Sequence, residues 1–186
     1  VPDIIPPAAA APAASGDLVE VTVDGVVAGG DGLARTADGR VVFVPGALPG
    51  ERVRIRVTDT KPSFARGQLV QVVDPSPDRV SPPCPKVAAG CGGCTWQHVE
   101  PRAQRRLKAA IVQDALRRLG HVDLEVGLGP DLAPFGYRTT VNAAVIGERA
   151  GLRHHRSHEV VAIIGCLIAH PSLRPLIDHG RYPGCH

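Results

Sequence analysis

Three cysteines fall within one short stretch of this 186-residue chain: Cys84, Cys91 and Cys94, spaced C-x6-C-x2-C, with Gly90, Gly92 and Gly93 around the last two. Cysteine sulfur is the soft ligand of iron–sulfur clusters and zinc, and as thiolate it is a nucleophile. Three thiols on one loop serve a common centre only if the backbone turns sharply between them. Glycine permits the positive φ angles such turns need, and N–H groups of a glycine-rich loop are suited to donate to sulfur. A closed site needs a fourth ligand. Cys166, ending the apolar run Ile163-Ile164-Gly165-Cys166, is the favoured candidate, and Cys185 near the end of the chain is the other. Three local cysteines and a remote one suit a [4Fe–4S] cluster. A four-cysteine zinc site usually uses two C-x2-C pairs, and one is present here. Zinc therefore stands as the second reading, and free buried thiols as the third.

His154, His155 and His158 lie close in sequence, but Glu159 is the only acidic or thiol residue beside them. They read as a solvated or RNA-facing loop rather than a metal site. Arginines 52, 54 and 56 alternate with Val53, Ile55 and Val57, and Arg35, Arg40, Lys61 and Arg66 flank them. Such a face can track a phosphate backbone without reading sequence. It is equally readable as a solvated strand face paired with Glu20, Asp24, Asp31, Asp38, Glu51, Asp59 and Asp74, because residues 18–75 hold seven basic and seven acidic side chains. Residues 76–120 are lopsided, with eight basic against three acidic, which favours a polyanionic partner.

The elements that must position these residues follow from pattern. Residues 1–16 are mostly Ala and Pro and read as a disordered tail. Residues 17–75 show period-two alternation at Val19, Val21 and Val23, an apolar run over 41–44, strict alternation over 52–57 and a last strand over 68–74. Turns at Gly29, Gly30 and Gly32 and at Pro45-Gly46 punctuate them. That predicts a small antiparallel barrel or sandwich. Residues 76–94 read as loop. Pro101 opens a helix running to Leu119 and stopped by Gly120. Its apolar face is Leu107, Ile111, Val112, Ala115, Leu116 and Leu119. From 137 to 164 the pattern returns to β, clearest over 139–145 and 160–164, and 171–176 starts another helix. The fold class is mainly β with α, and residues 76–186 form a second, incomplete domain.

Composition bounds the rest. Aromatics are 3% of the chain, so any core is built from Val, Leu, Ile and Ala. The formal net charge of +3 permits a polyanionic partner without demanding one. There is no basic segment followed by an apolar core at the start, and no stretch of about 20 apolar residues. The expectation is a cytoplasmic, monomeric protein with no membrane association, where clustered cysteines bind metal rather than form disulfides. Absence of methionine and a turn-like ending over 181–186 lead to the expectation of a piece of something longer.

The run Cys84-Pro85, Cys91-Gly92-Gly93-Cys94, Gln97-His98, Gln104, Lys108 and 116–120 resembles the cluster segment of bacterial RNA uracil-5-methyltransferases. The upstream barrel, with its glycine turn at 29–32 and Val44-Pro45-Gly46 and Pro49-Gly50-Glu51, is similar to a TRAM domain, an OB-like RNA-binding module. Tyr137-Arg138, Gly151-Leu152-Arg153, Ser157-His158 and Cys166 resemble the family's central domain. The resemblance covers residues 18–176. It implies a [4Fe–4S] cluster on Cys84, Cys91, Cys94 and Cys166. It also implies RNA contacts from Arg40, Arg54, Lys61, Arg66, Arg138, Arg153 and His158. For the complete enzyme it implies thiolate attack on a uracil of rRNA or tRNA and methyl transfer from S-adenosylmethionine, in a C-terminal domain absent here. No catalytic residue is carried over, and neither Cys166 nor Cys185 is read as the nucleophile. The gap between Cys84 and Cys91 is one residue longer than the family's pattern, which a loop absorbs. Two other readings remain. One is a stand-alone zinc- or cluster-stabilised RNA-binding module without catalysis. The other is a TRAM-containing radical enzyme, whose C-x3-C-x2-C motif the longer first gap does not match.

Overall fold

The structure, a computed structural model, describes residues 12–155 and 157–184. Five strands come first: β1 (Leu18–Val26), β2 (Asp31–Arg35), β3 (Val41–Pro45), β4 (Arg52–Thr60) and β5 (Phe64–Asp74). They close into a barrel in the order β1-β2-β3-β5-β4. All its pairings are antiparallel except β3 with β5. Alternation along β1 and β4 sends Val21, Val23, Val53, Ile55 and Val57 inward, where they meet Ala34, Val42, Val44, Ala47 and Ala65. No aromatic ring enters this core, as composition required.

Two expectations for this region are revised. Gly32 was grouped with a turn, but Gly29 and Gly30, at φ of 98° and 94°, make the turn and Gly32 lies inside β2. It is glycine because a Cβ there would stand 2.8 Å from the Ala47 carbonyl oxygen. The disordered tail was expected to reach residue 16. Instead Ala13 packs on the barrel core, Gly16 N–H donates to Val57 O (2.8 Å) and Ser15 Oγ donates to Thr58 O (3.2 Å). The backbone of β4 offers these groups partners just before β1 begins. Residues 1–11 of that tail lie outside the described residues.

Helix α1 (Pro101–Gly120) begins where expected. The Glu100 carboxylate accepts from Ala103 N–H (2.8 Å), capping its first turn. Gly120 is its last residue rather than its stop. His121 takes the left-handed conformation (φ 51°) and Val122 N–H donates back to Leu116 O (3.1 Å), satisfying a carbonyl of the last turn from beyond the helix. The expected apolar face is not buried as a whole: Val112 and Leu119 are exposed, and Ala103 is the buried residue among those described.

The second sheet has three short antiparallel strands: β6 (Ala144–Ile146), β7 (Arg149–Arg153) and β8 (Val160–Ala162). Gly147 and Glu148, both at positive φ (53° and 64°), join β6 to β7 in a two-residue turn. The strand expected over 139–145 forms only from Ala144, and the one over 160–164 ends at Ala162. Residues 171–173 make a 3-10 turn leading into α2 (Arg174–His179). Ala150, Ile163, Ala169 and Ile177 form the small core of this region, with Cys91, Leu152 and Cys166 packed on it. By contacts the chain divides into one unit of residues 1–79 with 110–122, and another of 80–109 with 123–186. Among the described residues no helix is long and apolar enough to cross a membrane.

Candidate metal centre and nucleic-acid surfaces

The loop after Cys84 is built from short turns. Val87 N–H donates to Cys84 O (3.1 Å), Gly90 N–H to Val87 O (3.0 Å) and Cys91 N–H to Lys86 O (2.9 Å). Gly90 supplies the positive φ (82°) that reverses the chain before Cys91. Gly92 serves differently. Its N–H donates to Arg153 O (2.9 Å), and a Cβ at this position would stand 2.7 Å from that oxygen and 2.8 Å from His155 N. Glycine here permits close backbone approach, and Cys91 pairs with His154 in an antiparallel bridge beyond the end of β7.

Cys166 arrives from the other side. Arg138 pairs with Ala169 in a parallel bridge, Arg138 N–H donates to Ile168 O (2.9 Å) and Gly136 N–H to Leu167 O (2.9 Å), holding the segment that carries it. The result is convergence. Cys84, Cys91, Cys94 and Cys166, all free and half-buried, line one cavity of about 20 Å³ with Lys86, Gln97 and the apolar Val87, Leu152, Ile163, Ile164, Leu167 and Ile168. No carboxylate or imidazole lines it. Burial pushes the Cys94 thiol up, and the neighbouring Cys166 and Cys91 act in the same direction, against a hydrogen bond with Gln97 and the charge of Arg138. Among the described residues, no three His, Cys, Asp or Glu side chains are grouped as an ion-holding set. Four soft donors opening on a small, largely apolar cavity are nonetheless the donor chemistry that an iron–sulfur cluster requires. Cys185, the alternative fourth ligand, lies outside the described residues.

The downstream motif residues support this loop. Gln97 Oε1 accepts from Cys84 N–H (3.2 Å), and the same side chain acts to lower the Cys94 pKa, so one amide acts on the first and third cysteines. Gln104 Nε2 donates to Trp96 O (3.1 Å) and Val99 O (3.0 Å), and the Lys108 ammonium lies over the Trp96 ring at 5.6 Å. The first turns of α1 thereby brace the chain just after Cys94.

The basic residues divide into two sets. On the barrel, Arg54 binds Glu20 (2.7 Å) and Gln71 (3.3 Å), and Arg52 binds Asp74 (2.8 Å) and Glu20 (3.3 Å). Arg40 lies 3.7 Å from Asp38 and Lys61 lies 3.5 Å from Asp59. Arg66 lies 3.5 Å from Asp31 and 5.9 Å from each of the Phe43 and Phe64 rings, which meet edge to face at 5.7 Å. The exposed face of β4 is therefore largely neutralised by its neighbours. In the second unit Arg138 and Arg153 line an open cavity together with His154 and His155, and His158 is exposed nearby in sequence.

Residues 12–70 match the TRAM domain. An uncharacterized RNA methyltransferase of Streptomyces coelicolor is 43% identical over 91% of this chain and 41% of its own length. The 23S rRNA (uracil(1939)-C(5))-methyltransferase RlmD of Photorhabdus laumondii is 38% identical over 87% of this chain and 38% of its own. The chain carries a TRAM domain and is similar in sequence to RNA methyltransferases. Among solved structures, the tRNA (uracil-54, C5)-methyltransferase of Pyrococcus abyssi, in complex with S-adenosyl-L-homocysteine, matches 84% of this chain and 34% of its own at 25% identity, with a TM-score of 0.53. The chain spans about two fifths of the length of the curated relatives it matches.

One supporting pair escaped the reading of the sequence. Glu51, grouped there with the solvated acids, is fully buried. Its carboxylate accepts from Leu48 N–H (2.9 Å), Ser76 N–H (3.2 Å), Arg79 Nε (2.5 Å) and Arg79 Nη2 (2.8 Å). Its place after Gly50 at a strand start was the available signal, but nothing local marks a partner 28 residues away.

Proposed function

We propose that this chain is the RNA-binding, iron–sulfur-bearing portion of an S-adenosylmethionine-dependent RNA uracil-5-methyltransferase acting on rRNA or tRNA. The observation that carries it is the opening of all four cysteines on one cavity in a chain whose relatives are RNA methyltransferases. Cys84, Cys91, Cys94 and Cys166 would hold a [4Fe–4S] cluster, with Gln97 orienting two of them. The role assigned to it is a clamp. A ligand set separated by about 70 residues closes a long loop, where a clip constrains the unfolded chain most. The barrel and the second sheet contribute the RNA contacts: Arg40, Arg54, Lys61 and Arg66 from one, and Arg138, Arg153 and His158 from the other. The methyl donor binds outside the residues described, as does the reacting uracil.

The test is anaerobic purification followed by iron, zinc and visible absorbance measurements on wild type, Cys166→Ala and Cys185→Ala. The expected result is close to four irons per chain and a brown chromophore, lost with Cys166→Ala and kept with Cys185→Ala. One zinc and no colour would sink the cluster and favour a zinc-stabilised RNA-binding module. Loss with Cys185→Ala alone would move the fourth ligand.

A further inference from the structure

Beside the thiol cavity lies a larger one, of about 650 Å³, that the cluster does not use. Arg153 reaches it from the end of β7, and His154 and His155 follow directly. Arg138 comes from the segment bridged to Ala169, and Thr140 and Asn142 from the run leading into β6. Among the described residues no carboxylate lines it. Among the described residues neither Arg138 nor Arg153 has an ion pair, whereas Arg52, Arg54 and Arg66 on the barrel all do. Two guanidinium forks without a carboxylate partner among the described residues attract an anion, and phosphate geometry suits them best. The volume exceeds what a bare phosphate fills and lies in the range of pockets that hold a nucleotide-sized ligand. An amide, a hydroxyl and two imidazoles add donors and acceptors for base edges and ribose, and Leu152 supplies an apolar wall.

We infer that this cavity holds one nucleotide of single-stranded RNA, its phosphate on Arg138 and Arg153 and its base against Asn142, Thr140 and the histidines. The inference rests on the RNA-binding reading above and deepens it. Gly93 and Leu152 line both cavities, so the cysteine loop is a wall of the nucleotide site. Metal retention and RNA affinity are thereby linked through backbone rather than through direct contact with the cluster.

The experiment uses the full chain prepared anaerobically and a fluorescein-labelled, mixed-sequence single-stranded RNA dodecamer, read by anisotropy across a salt series. Arg153→Gln should lower affinity by about tenfold and reduce the slope of log K against log salt by about one phosphate contact. Arg153→Lys should restore the slope but only part of the affinity, and Asn142→Ala should lower affinity at unchanged slope. Metal content, measured on every variant, should stay at the wild-type level. Wild-type binding with Arg153→Gln and Asn142→Ala both indistinguishable from it would overturn the nucleotide site and leave the RNA-binding reading standing. If the wild-type chain fails to bind the dodecamer at all, both fall. Should Arg153→Gln not fold, Asn142→Ala and Arg153→Lys decide the matter by the same criteria.

Discussion

Glu51 and Gln97 do similar work in different units, each tying together residues that sequence keeps apart. Glu51 anchors the 76–79 segment to the barrel through three accepted hydrogen bonds and takes a fourth from Leu48 N–H. Burial pushes its carboxyl up, but the Arg79 side chain, the Leu48 and Ser76 amides and the Arg79 charge outweigh burial, so its pKa lies below the usual value. A lowered folded-state pKa means that the stabilisation is complete above the ordinary carboxylate range and is lost as pH falls through the lowered value. Glu51→Gln should cost about 2–3 kcal/mol at neutral pH, because it leaves the Arg79 guanidinium half-buried without its anion. Urea titration followed by circular dichroism measures this. The variant's stability should also fall less steeply than wild type between pH 5 and pH 3, in round terms. A variant equal to wild type at pH 7 would mean that the pair contributes nothing net.

At the scale of elements, the three glycines of the cysteine loop divide by physical role. Gly90 is needed for its backbone conformation, Gly92 for the space it leaves, and Gly93 for neither as strictly. A Cβ on Gly93 would meet Leu152 Cδ1 at 2.6 Å, the end of a flexible side chain, whereas one on Gly92 would meet backbone atoms that cannot turn aside. Gly92→Ala should therefore weaken metal retention by about tenfold or more relative to Gly93→Ala, as measured by competition with a chelator. Equal retention would mean that the pairing of the loop with the end of β7 is dispensable. Elements built on long periodic runs were legible in advance: β1, β4 and α1 each begin within a residue of the pattern. β2 was not, because Asp31-Gly32-Leu33-Ala34-Arg35 holds a glycine that looks like punctuation and is required by Ala47 across the barrel. The strand expected from residue 139 was also shortened. Residues 139–143 follow the β pattern in sequence, but Thr140, Asn142 and Ala143 instead line a cavity.

For the whole molecule, charge placement matters more than the net +3. The arginines that alternate so regularly along β4 attracted attention as a phosphate track, yet Glu20 and Asp74 sit across from them. Exposed pairs of this kind contribute little to stability but do neutralise a surface. Arg54→Gln should accordingly lower affinity for a single-stranded RNA only about twofold at moderate salt, a weaker contact than Arg153 because its guanidinium is shared with Glu20. A barrel variant that loses more than the cavity variant would return the main RNA contact to the barrel.

The sequence by itself made legible a candidate donor set, the barrel and the likeness to RNA methyltransferases. Cysteine spacing, strand periodicity and the glutamines and lysine downstream are local signals, carried by residues that sit near one another in the chain. The convergence of Cys166 on the other three cysteines entered the sequence reading only as an expectation. Tertiary structure alone decided that all four open on one cavity, that Glu51 is buried beneath Arg79, and that among the described residues Arg138 and Arg153 stand without carboxylates while Arg52 and Arg54 do not. Those outcomes depend on which segments pair across tens of residues. Pairing of that kind is set by strand register and by close backbone approach at positions such as Gly32 and Gly92, which leave no period in the sequence to read.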